Sequence, residues 1–315
     1  MNKVAFFSTS SRPIKTLEEL SKHFEIVFIV TKEDKIIGKN KAPTPNDVKK
    51  FAIKNNIPFI ELSKFNLEMK EKVTQLILTY KPDIALSFDF GFIIPKDLLK
   101  LPKLGFVNTH FSLLPKHRGA SAVQFAILND DKEFGITYHI VDASLDTGEI
   151  IYQSQYELNE NMNSDQAYSF LFEKAVKELP EVVLQFIEGK LKPEPQDHNL
   201  ASYTFSKSNP KHTFIYKEDA LFNTSKNERQ IFREIKAYNS WPLLEANISD
   251  LLKLSQFSSL TLKKGKENLK VKVMDGVYKN NQLFITEVTV VGGKKLDIKN
   301  FINGYFDKII GKYRL

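Results

Sequence analysis

Strand-like and helix-like runs alternate through the first two hundred residues, and this alternation constrains the fold more than any other feature. Residues 3–8 and 83–88 are apolar runs typical of buried strands, and the amphipathic residues 66–80 predict a helix between them. Such repetition builds a mostly parallel sheet covered by helices. We therefore expect an α/β, Rossmann-like N-terminal domain with functional groups at the carboxyl ends of its strands.

The pattern changes after a long helix predicted over residues 164–189, where Pro193 and Pro195 follow. Beyond them, short strand-like runs separated by Gly, Asn and Lys favour a small barrel or sandwich. A chain of 315 residues is also long enough for two domains. The predicted organisation is a catalytic domain over 1–191, a linker over 192–210 and a smaller domain over 211–315.

Positive charge is concentrated in the second part of the chain. Residues 201–315 hold 20 Lys and Arg against 11 Asp and Glu, whereas residues 1–200 hold 25 against 27. Clustered cations release condensed counterions when they meet phosphates, which favours a polyanionic partner. Plain solvated surface in a Lys-rich protein explains the composition equally well.

Composition also excludes several classes of protein. The chain has no cysteine, so disulfides, thiolate catalysis and Cys-ligated zinc are excluded. No apolar run has the length of a membrane span, and the first residues lack the apolar core of a signal peptide. We therefore expect a cytoplasmic protein that does not enter a membrane.

Two local patterns predict details of the fold. Thr44 followed by Pro45 predicts the cap and first residue of a helix. Trp241, the only tryptophan, is predicted to anchor the core of the smaller domain.

Three polar residues between Gly105 and Gly148 suggest group-transfer chemistry. Asn108 and His110 lie two residues apart at a predicted strand end, so their side chains project from the same face. Asp146 lies in a loop after another predicted strand, 135–141, and can orient or charge His110.

The other histidines carry no such pattern. His139 alternates within the predicted strand and is interpreted as a packed or hydrogen-bonded core residue, and His117 is interpreted as loop surface. None of the six histidines shows the close spacing to His or acidic residues that zinc sites require, so no metal is expected.

The same segment carries a longer motif. Asn108-x-His110 is followed by Ser112-Leu113-Leu114-Pro115, by Arg118-Gly119 and by Leu145-Asp146-Thr147-Gly148. Other segments belong to the same set of motifs, namely residues 31–34 with 38 and 44–45, 90–95, 237–242 and 293–295. Together these motifs resemble the formyltransferase family that uses 10-formyltetrahydrofolate, and within it the branch that acts on methionyl-tRNA.

The resemblance implies a Rossmann-like catalytic domain and an OB-like, tRNA-binding domain over 211–315. It implies transfer of a formyl group from 10-formyltetrahydrofolate to the α-amino group of initiator methionyl-tRNA, for translation initiation, by a monomeric enzyme. Asn108 and His110 would donate hydrogen bonds to the oxyanion. Asp146 would favour the charged form of His110 and relay the amine proton through a water.

Binding residues are also implied by the resemblance. An apolar slot with a few fixed polar groups suits a flat heterocycle. The folate site would comprise Ser112, Leu113, Leu114, Pro115, Phe88, Phe92, Ile93, Ile94, Val141 and Asp142. The tRNA acceptor arm would meet the basic C-terminal surface and Lys32, Lys35, Lys39 and Lys41.

Two other functions stay open. An N-formyltransferase acting on a nucleotide-linked amino sugar would use the same folate and the same Asn, His and Asp. The excess of basic residues over 201–315 favours RNA, because a sugar nucleotide needs only a small anion pocket. The intact Asn108, His110 and Asp146 argue against the second alternative, a catalytically silent RNA- or folate-binding module.

Overall fold

The structure, a computed structural model, describes residues 1–37 and 42–309. Lys39 and Lys41, two of the predicted tRNA contacts, lie outside the described residues. The chain forms two compact units that alternate along the sequence. The first contains Met1–Arg118, Gly135–Gln155 and Ser169–Ser202, and the second contains Gly119–Phe134, Tyr156–Tyr168 and the described residues from Tyr203 onward.

A seven-stranded sheet organises the N-terminal part of the chain. Its strands have the order β5-β2-β1-β6-β7-β8-β9. Pairing is parallel from β5 to β7, and β8 runs antiparallel to β7. The prediction of a mostly parallel sheet is confirmed. The strands up to this point are β1 (Lys3–Phe7), β2 (Glu25–Lys32), β3 (Lys35–Ile37), β4 (Ala42–Thr44), β5 (Phe59–Leu62), β6 (Ile84–Phe88), β7 (Phe106–His110), β8 (Glu133–Ile140) and β9 (Ile150–Glu157).

Seven α-helices are seen among the described residues. They are α1 (Ile14–His23), α2 (Asp47–Lys54), α3 (Leu67–Tyr80), α4 (Ala122–Leu128), α5 (Ser164–Ile187), α6 (Glu228–Ala237) and α7 (Ile298–Tyr305). Within the described ranges, none of these helices combines the length and the apolar character that a membrane crossing requires.

The predicted start of α2 was two residues too early. Thr44 belongs to β4, and Asn46 is the cap, because its side chain accepts a hydrogen bond from the backbone N–H of Lys49. The Asn46 amide group also donates to the Thr31 hydroxyl at 3.0 Å. A side chain that joins the helix start to β2 therefore prevails over the local Thr-Pro preference.

Short strands form much of the C-terminal part of the chain, as predicted, and they pair antiparallel. A four-stranded sheet has the order β10-β12-β13-β14, and β11 pairs with β15. Ile231, Phe232 and Ile235 of α6 are buried in this unit. The strands are β10 (Leu244–Asn247), β11 (Leu260–Leu262), β12 (Lys270–Lys279), β13 (Gln282–Val290), β14 (Lys295–Asp297) and β15 (Phe306–Ile309).

Trp241 does not anchor this core, so that prediction is wrong. It lies in the turn after α6 and is 54% exposed, whereas Tyr238 is 1% exposed. The chain turns away from the core immediately after α6, with left-handed backbone at Ser240 and Leu243. Tyr238, rather than Trp241, is therefore the buried aromatic residue at the end of α6.

Candidate active site

Asn108, His110 and Asp146 come together at the carboxyl end of β7. Asn108 and His110 occupy alternate positions of the strand, and their partners across the antiparallel pair with β8 are His139 and Thr137. The Asp146 loop joins β8 to β9, and its carboxylate lies 3.6 Å from Nδ1 of His110. The structure thus places the three predicted side chains in one cluster.

His139 fixes the orientation of Asn108. The His139 Nδ1 lies 2.9 Å from the Ile140 carbonyl, which can only accept, so this nitrogen carries the proton. The other nitrogen, Nε2, accepts from the Asn108 amide group at 3.2 Å. Burial lowers the pKa of His139 and keeps the ring neutral, although the nearby Asp146 carboxylate opposes this effect. The interpretation of His139 as a hydrogen-bonded core residue is confirmed.

Stability should therefore fall in mild acid. The pKa of His139 is lowered from 6.5 in the folded protein, so the unfolded chain binds the extra proton first as pH drops below 6.5. Stability is retained above this pH and lost below it, by at most about 1.4 kcal/mol per pH unit from this group. Chemical denaturation of the wild type and of His139→Gln between pH 5 and 8 tests this. An equal pH slope in both proteins would contradict it.

His110 is held by a backbone carbonyl. Its Nε2 lies 3.0 Å from the His117 carbonyl and therefore donates to it, which leaves Nδ1 facing Asp146. His110 is 8% exposed and His117 is 5% exposed, so the contact is shielded from water. The interpretation of His117 as loop surface is wrong, because the residue is buried.

The loop that carries Asp146 is tightly shaped. Asp146 has a left-handed φ of 51°, which is uncommon for a residue with a side chain. A Cβ on Gly148 would stand 1.8 Å from the Ile140 carbonyl oxygen, so only glycine fits there. The Asp142 carboxylate accepts from the Thr147 hydroxyl at 2.7 Å and from the Ser144 N–H at 3.0 Å. These contacts shape the turn that carries Asp146 after β8.

The predicted folate segment after β7 is fixed by a buried threonine. The Thr137 hydroxyl donates to the Ser112 carbonyl at 2.6 Å and accepts from the Leu114 N–H at 3.2 Å. The Gln153 amide group donates to the Thr137 hydroxyl and to the Leu114 carbonyl. Leu113 and Pro115 lie beside these residues and are half-buried. This segment therefore has a defined backbone shape.

The remaining predicted folate residues differ in exposure. Phe88 and Ile94 are buried, Phe92 and Val141 are half-buried, and Asp142 is exposed. Ile93 is 91% exposed, an unusual position for a large apolar side chain. The structure thus offers an apolar surface at Ile93 beside side chains that already belong to the core.

An aromatic cluster surrounds Phe88. Its ring stacks on Phe172 of α5 at 5.1 Å and meets the edge of Phe111 at 5.6 Å. The Arg12 guanidinium lies 5.3 Å from the centre of the Phe172 ring and forms two hydrogen bonds with the Asp89 carboxylate. Sequence patterns did not single out Phe172, because an aromatic residue on a long amphipathic helix looks like ordinary core.

Lys32, the last residue of β2, and Lys35, the first residue of β3, are both exposed. Lys49 of α2 forms ion pairs with Asp34 and Glu61, both at 2.7 Å. The turn between β2 and β3 is therefore joined to α2 and β5 by a half-buried cation.

The family model described as Formyl transferase matches residues 2–183. The chain therefore belongs to the formyltransferase family, and relatives that match it over almost its full length include methionyl-tRNA formyltransferases. One, from Staphylococcus aureus strain MW2, is 30% identical over 99% of both chains. A second relative of the same name, from strain JH1, gives the same identity and coverage.

Solved structures show the same fold at lower identity. An N-formyltransferase from Helicobacter canadensis, in complex with folinic acid and dTDP-3-aminofucose, is 20% identical with a TM-score of 0.60. That comparison covers 94% of this chain and 100% of the other. Glycinamide ribonucleotide transformylase 1 from Symbiobacterium toebii is 16% identical with a TM-score of 0.53, and covers 62% of this chain and 95% of its own.

Proposed function

We propose that this chain transfers the formyl group of 10-formyltetrahydrofolate to the α-amino group of initiator methionyl-tRNA. Methionyl-tRNA formyltransferases match it over 99% of the chain at 30% identity, which supports methionyl-tRNA as the acceptor over other amines. The observation that carries the chemistry is the cluster of Asn108, His110 and Asp146 at the end of β7.

Asn108 and His110 are proposed as the donors to the negative charge that develops on the formyl oxygen. One amide hydrogen of Asn108 bonds His139, and this bond fixes the plane of the amide group. The second amide hydrogen is then held in a fixed direction and can donate to the formyl oxygen. His110 uses Nε2 for the His117 carbonyl, so Nδ1 is its catalytic nitrogen. Two oriented donors need little reorganisation during the reaction.

Asp146 is proposed to stabilise the charged form of His110 and to accept the amine proton through a water. The distance of 3.6 Å between the His110 Nδ1 and the Asp146 carboxylate is longer than a hydrogen bond. The formyl oxygen of the substrate can therefore accept a hydrogen bond from Nδ1 in place of the carboxylate. A strong base is unnecessary because an α-amino group, with a pKa of roughly 7.7–8.0, is partly neutral at pH 7.

The residues around β6 and β7 suit a folate, which supplies the formyl group when bound. The exposed Ile93 side chain and the half-buried Phe92 and Val141 present apolar surface for a pterin ring. The fixed turn from Ser112 to Pro115 would form the edge of this site. Phe88 and Ile94 would support it from the core, and Asp142 would contribute main-chain groups.

The acceptor arm is proposed to meet two basic surfaces. One is the sequence segment that holds Lys32, Lys35, Lys39 and Lys41, and the other is the C-terminal domain, 211–315, for which we propose an OB-like fold. Shortly before this domain in the sequence, the Tyr203 and Phe205 rings stack at 5.4 Å and are 40% and 44% exposed. Exposed aromatic rings suit stacking on unpaired nucleotides.

Removing the charges of this lysine segment should weaken tRNA binding more than catalysis. We expect the fourfold alanine variant at Lys32, Lys35, Lys39 and Lys41 to raise the KM for methionyl-tRNA on the order of tenfold, with a smaller change in kcat. Initial-rate kinetics at fixed salt measure both constants. A matched variant neutralises four exposed lysines elsewhere: Lys22, Lys72, Lys103 and Lys190. A loss of kcat with unchanged KM would contradict the proposed contact.

Formylation of methionyl-tRNA by the purified protein with 10-formyltetrahydrofolate tests the function itself. The rate at subsaturating tRNA should fall steeply between about 50 and 200 mM salt, because phosphate contacts release counterions. Absence of formyl-methionyl-tRNA at every salt concentration would refute the proposal.

A further inference from the structure

The segment that follows α5 contacts the backbone near both Asp146 and His110. Gln196 is 6% exposed, and its amide nitrogen donates to the carbonyls of Asp146 at 2.9 Å and Gly148 at 2.7 Å. Both bonds hold the turn in which Asp146 has its left-handed backbone. Glu194 adds a two-way backbone bridge to Ile150 at the start of β9.

The acceptor side of the Gln196 amide is set by a buried arginine. Arg118 is 1% exposed, and its guanidinium donates to the Gln196 oxygen at 2.6 Å and 3.2 Å and to the His198 Nδ1 at 3.0 Å. Because an arginine can only donate, the Gln196 oxygen must face it. The Gln196 nitrogen is therefore directed toward Asp146 and Gly148 and cannot flip.

The same segment also contacts the backbone that holds His110. The Ser202 hydroxyl accepts from the His117 N–H at 2.9 Å, and the Ser202 carbonyl accepts from the Arg118 N–H at 2.8 Å. The His117 carbonyl in turn accepts from His110. One short segment thus holds the backbone behind the carboxylate and the backbone behind the imidazole.

We propose that residues 194–202 form a brace that sets the position of Asp146 relative to His110, with Gln196 as a positioning residue for the carboxylate. The brace lies within the first compact unit, which extends to Ser202, although sequence patterns predict only a linker there. Its effect on rate rests on the proposed function, but its effect on the His110 environment does not.

Gln196→Glu tests the brace with a small change in shape. A glutamate still accepts from Arg118, so the buried cation keeps a partner, but it cannot donate to the Asp146 and Gly148 carbonyls. We expect kcat to fall on the order of 10- to 100-fold, since small displacements of a catalytic group have such effects, with little change in either KM. The His110 imidazole ¹⁵N resonances, assigned with His110→Gln, should shift in the same direction as in Asp146→Asn.

Three further measurements keep the proposal falsifiable. In an Asp146→Asn background, Gln196→Glu should cost less than threefold in kcat, because there is no carboxylate left to position. Gln166→Glu is the matched control, because it introduces the same charge at an exposed position. A glutamate there can still accept from the Asn163 N–H, so kcat and the His110 resonances should stay unchanged. If Gln196→Glu does not fold, Ser202→Ala tests the other arm, and we expect it to shift His110 as well.

Unchanged His110 resonances in a folded brace variant, or a rate loss that adds fully to Asp146→Asn, would overturn the brace. Failure of the proposed function is distinguishable, because the wild-type protein would then give no formyl-methionyl-tRNA while its His110 resonances could still respond to Gln196→Glu.

Discussion

Asp146→Asn and His110→Ala should each lower kcat by roughly 10²- to 10⁴-fold while folate binding is retained. Asn tolerates the left-handed backbone of position 146, so Asp146→Asn removes the charge without forcing the turn to change. His110→Ala removes the Nδ1 donor and leaves the His117 carbonyl without its imidazole partner. Steady-state kinetics and titration of folate by fluorescence or calorimetry separate the two effects.

A matched control isolates the loss of charge. Asp97→Asn removes a carboxylate from an exposed ion pair with Lys70 and should leave kcat unchanged. Wild-type turnover in both Asp146→Asn and His110→Ala would remove these residues from the mechanism. Loss of folate binding in step with kcat would assign them to binding instead.

Gly148→Ala should damage both the fold and the site. The new Cβ would stand 1.8 Å from the Ile140 carbonyl oxygen and 2.8 Å from its carbonyl carbon, so the end of β8 or the Asp146 turn must move. We expect a loss of about 1–3 kcal/mol in the free energy of unfolding. Because the Asp146 carboxylate lies two residues away, activity should fall further than stability alone explains.

Gly304→Ala is the control for this substitution. Gly304 lies in α7, and among the described residues an added Cβ there would meet no atom within 4 Å outside the helix's own nearby backbone. Alanine should stabilise that helix by about 0.5–1 kcal/mol. Urea denaturation of the two variants compares the same chemical change in a crowded and in an open position. Equal unfolding free energies would show that the Asp146 turn has no need of glycine at 148.

The periodicity of the chain was enough to predict the parallel sheet and the cluster at its edge. Asn108 and His110 alternate on β7, and the length of β8 returns the Asp146 turn to the same edge. Hydrogen bonds between residues distant in sequence could not be predicted this way. Gln196 and Arg118 are 78 residues apart, and no local pattern indicates that a polar side chain after α5 is buried.

Local preferences failed where tertiary contacts prevail. Asn46, which also bonds Thr31, caps α2, and Tyr238 rather than Trp241 is buried after α6. The charge count also overstates the free positive surface of the C-terminal part. Several of its cations lie in ion pairs within the second unit, namely Lys226 with Glu234, Arg229 and Arg233 with Asp130, and Lys236 with Asp275. The exposed lysines, rather than the total, are therefore the relevant basic surface.

A paired acceptor assay tests the central claim most directly. The purified protein receives 10-formyltetrahydrofolate together with equal concentrations of methionyl-tRNA and a nucleotide-linked amino sugar, and both formylated products are quantified. We expect formyl-methionyl-tRNA to accumulate with no detectable formylated sugar, and Asp146→Asn to suppress that product. Formylation of the amino sugar but not of methionyl-tRNA would contradict the proposed function.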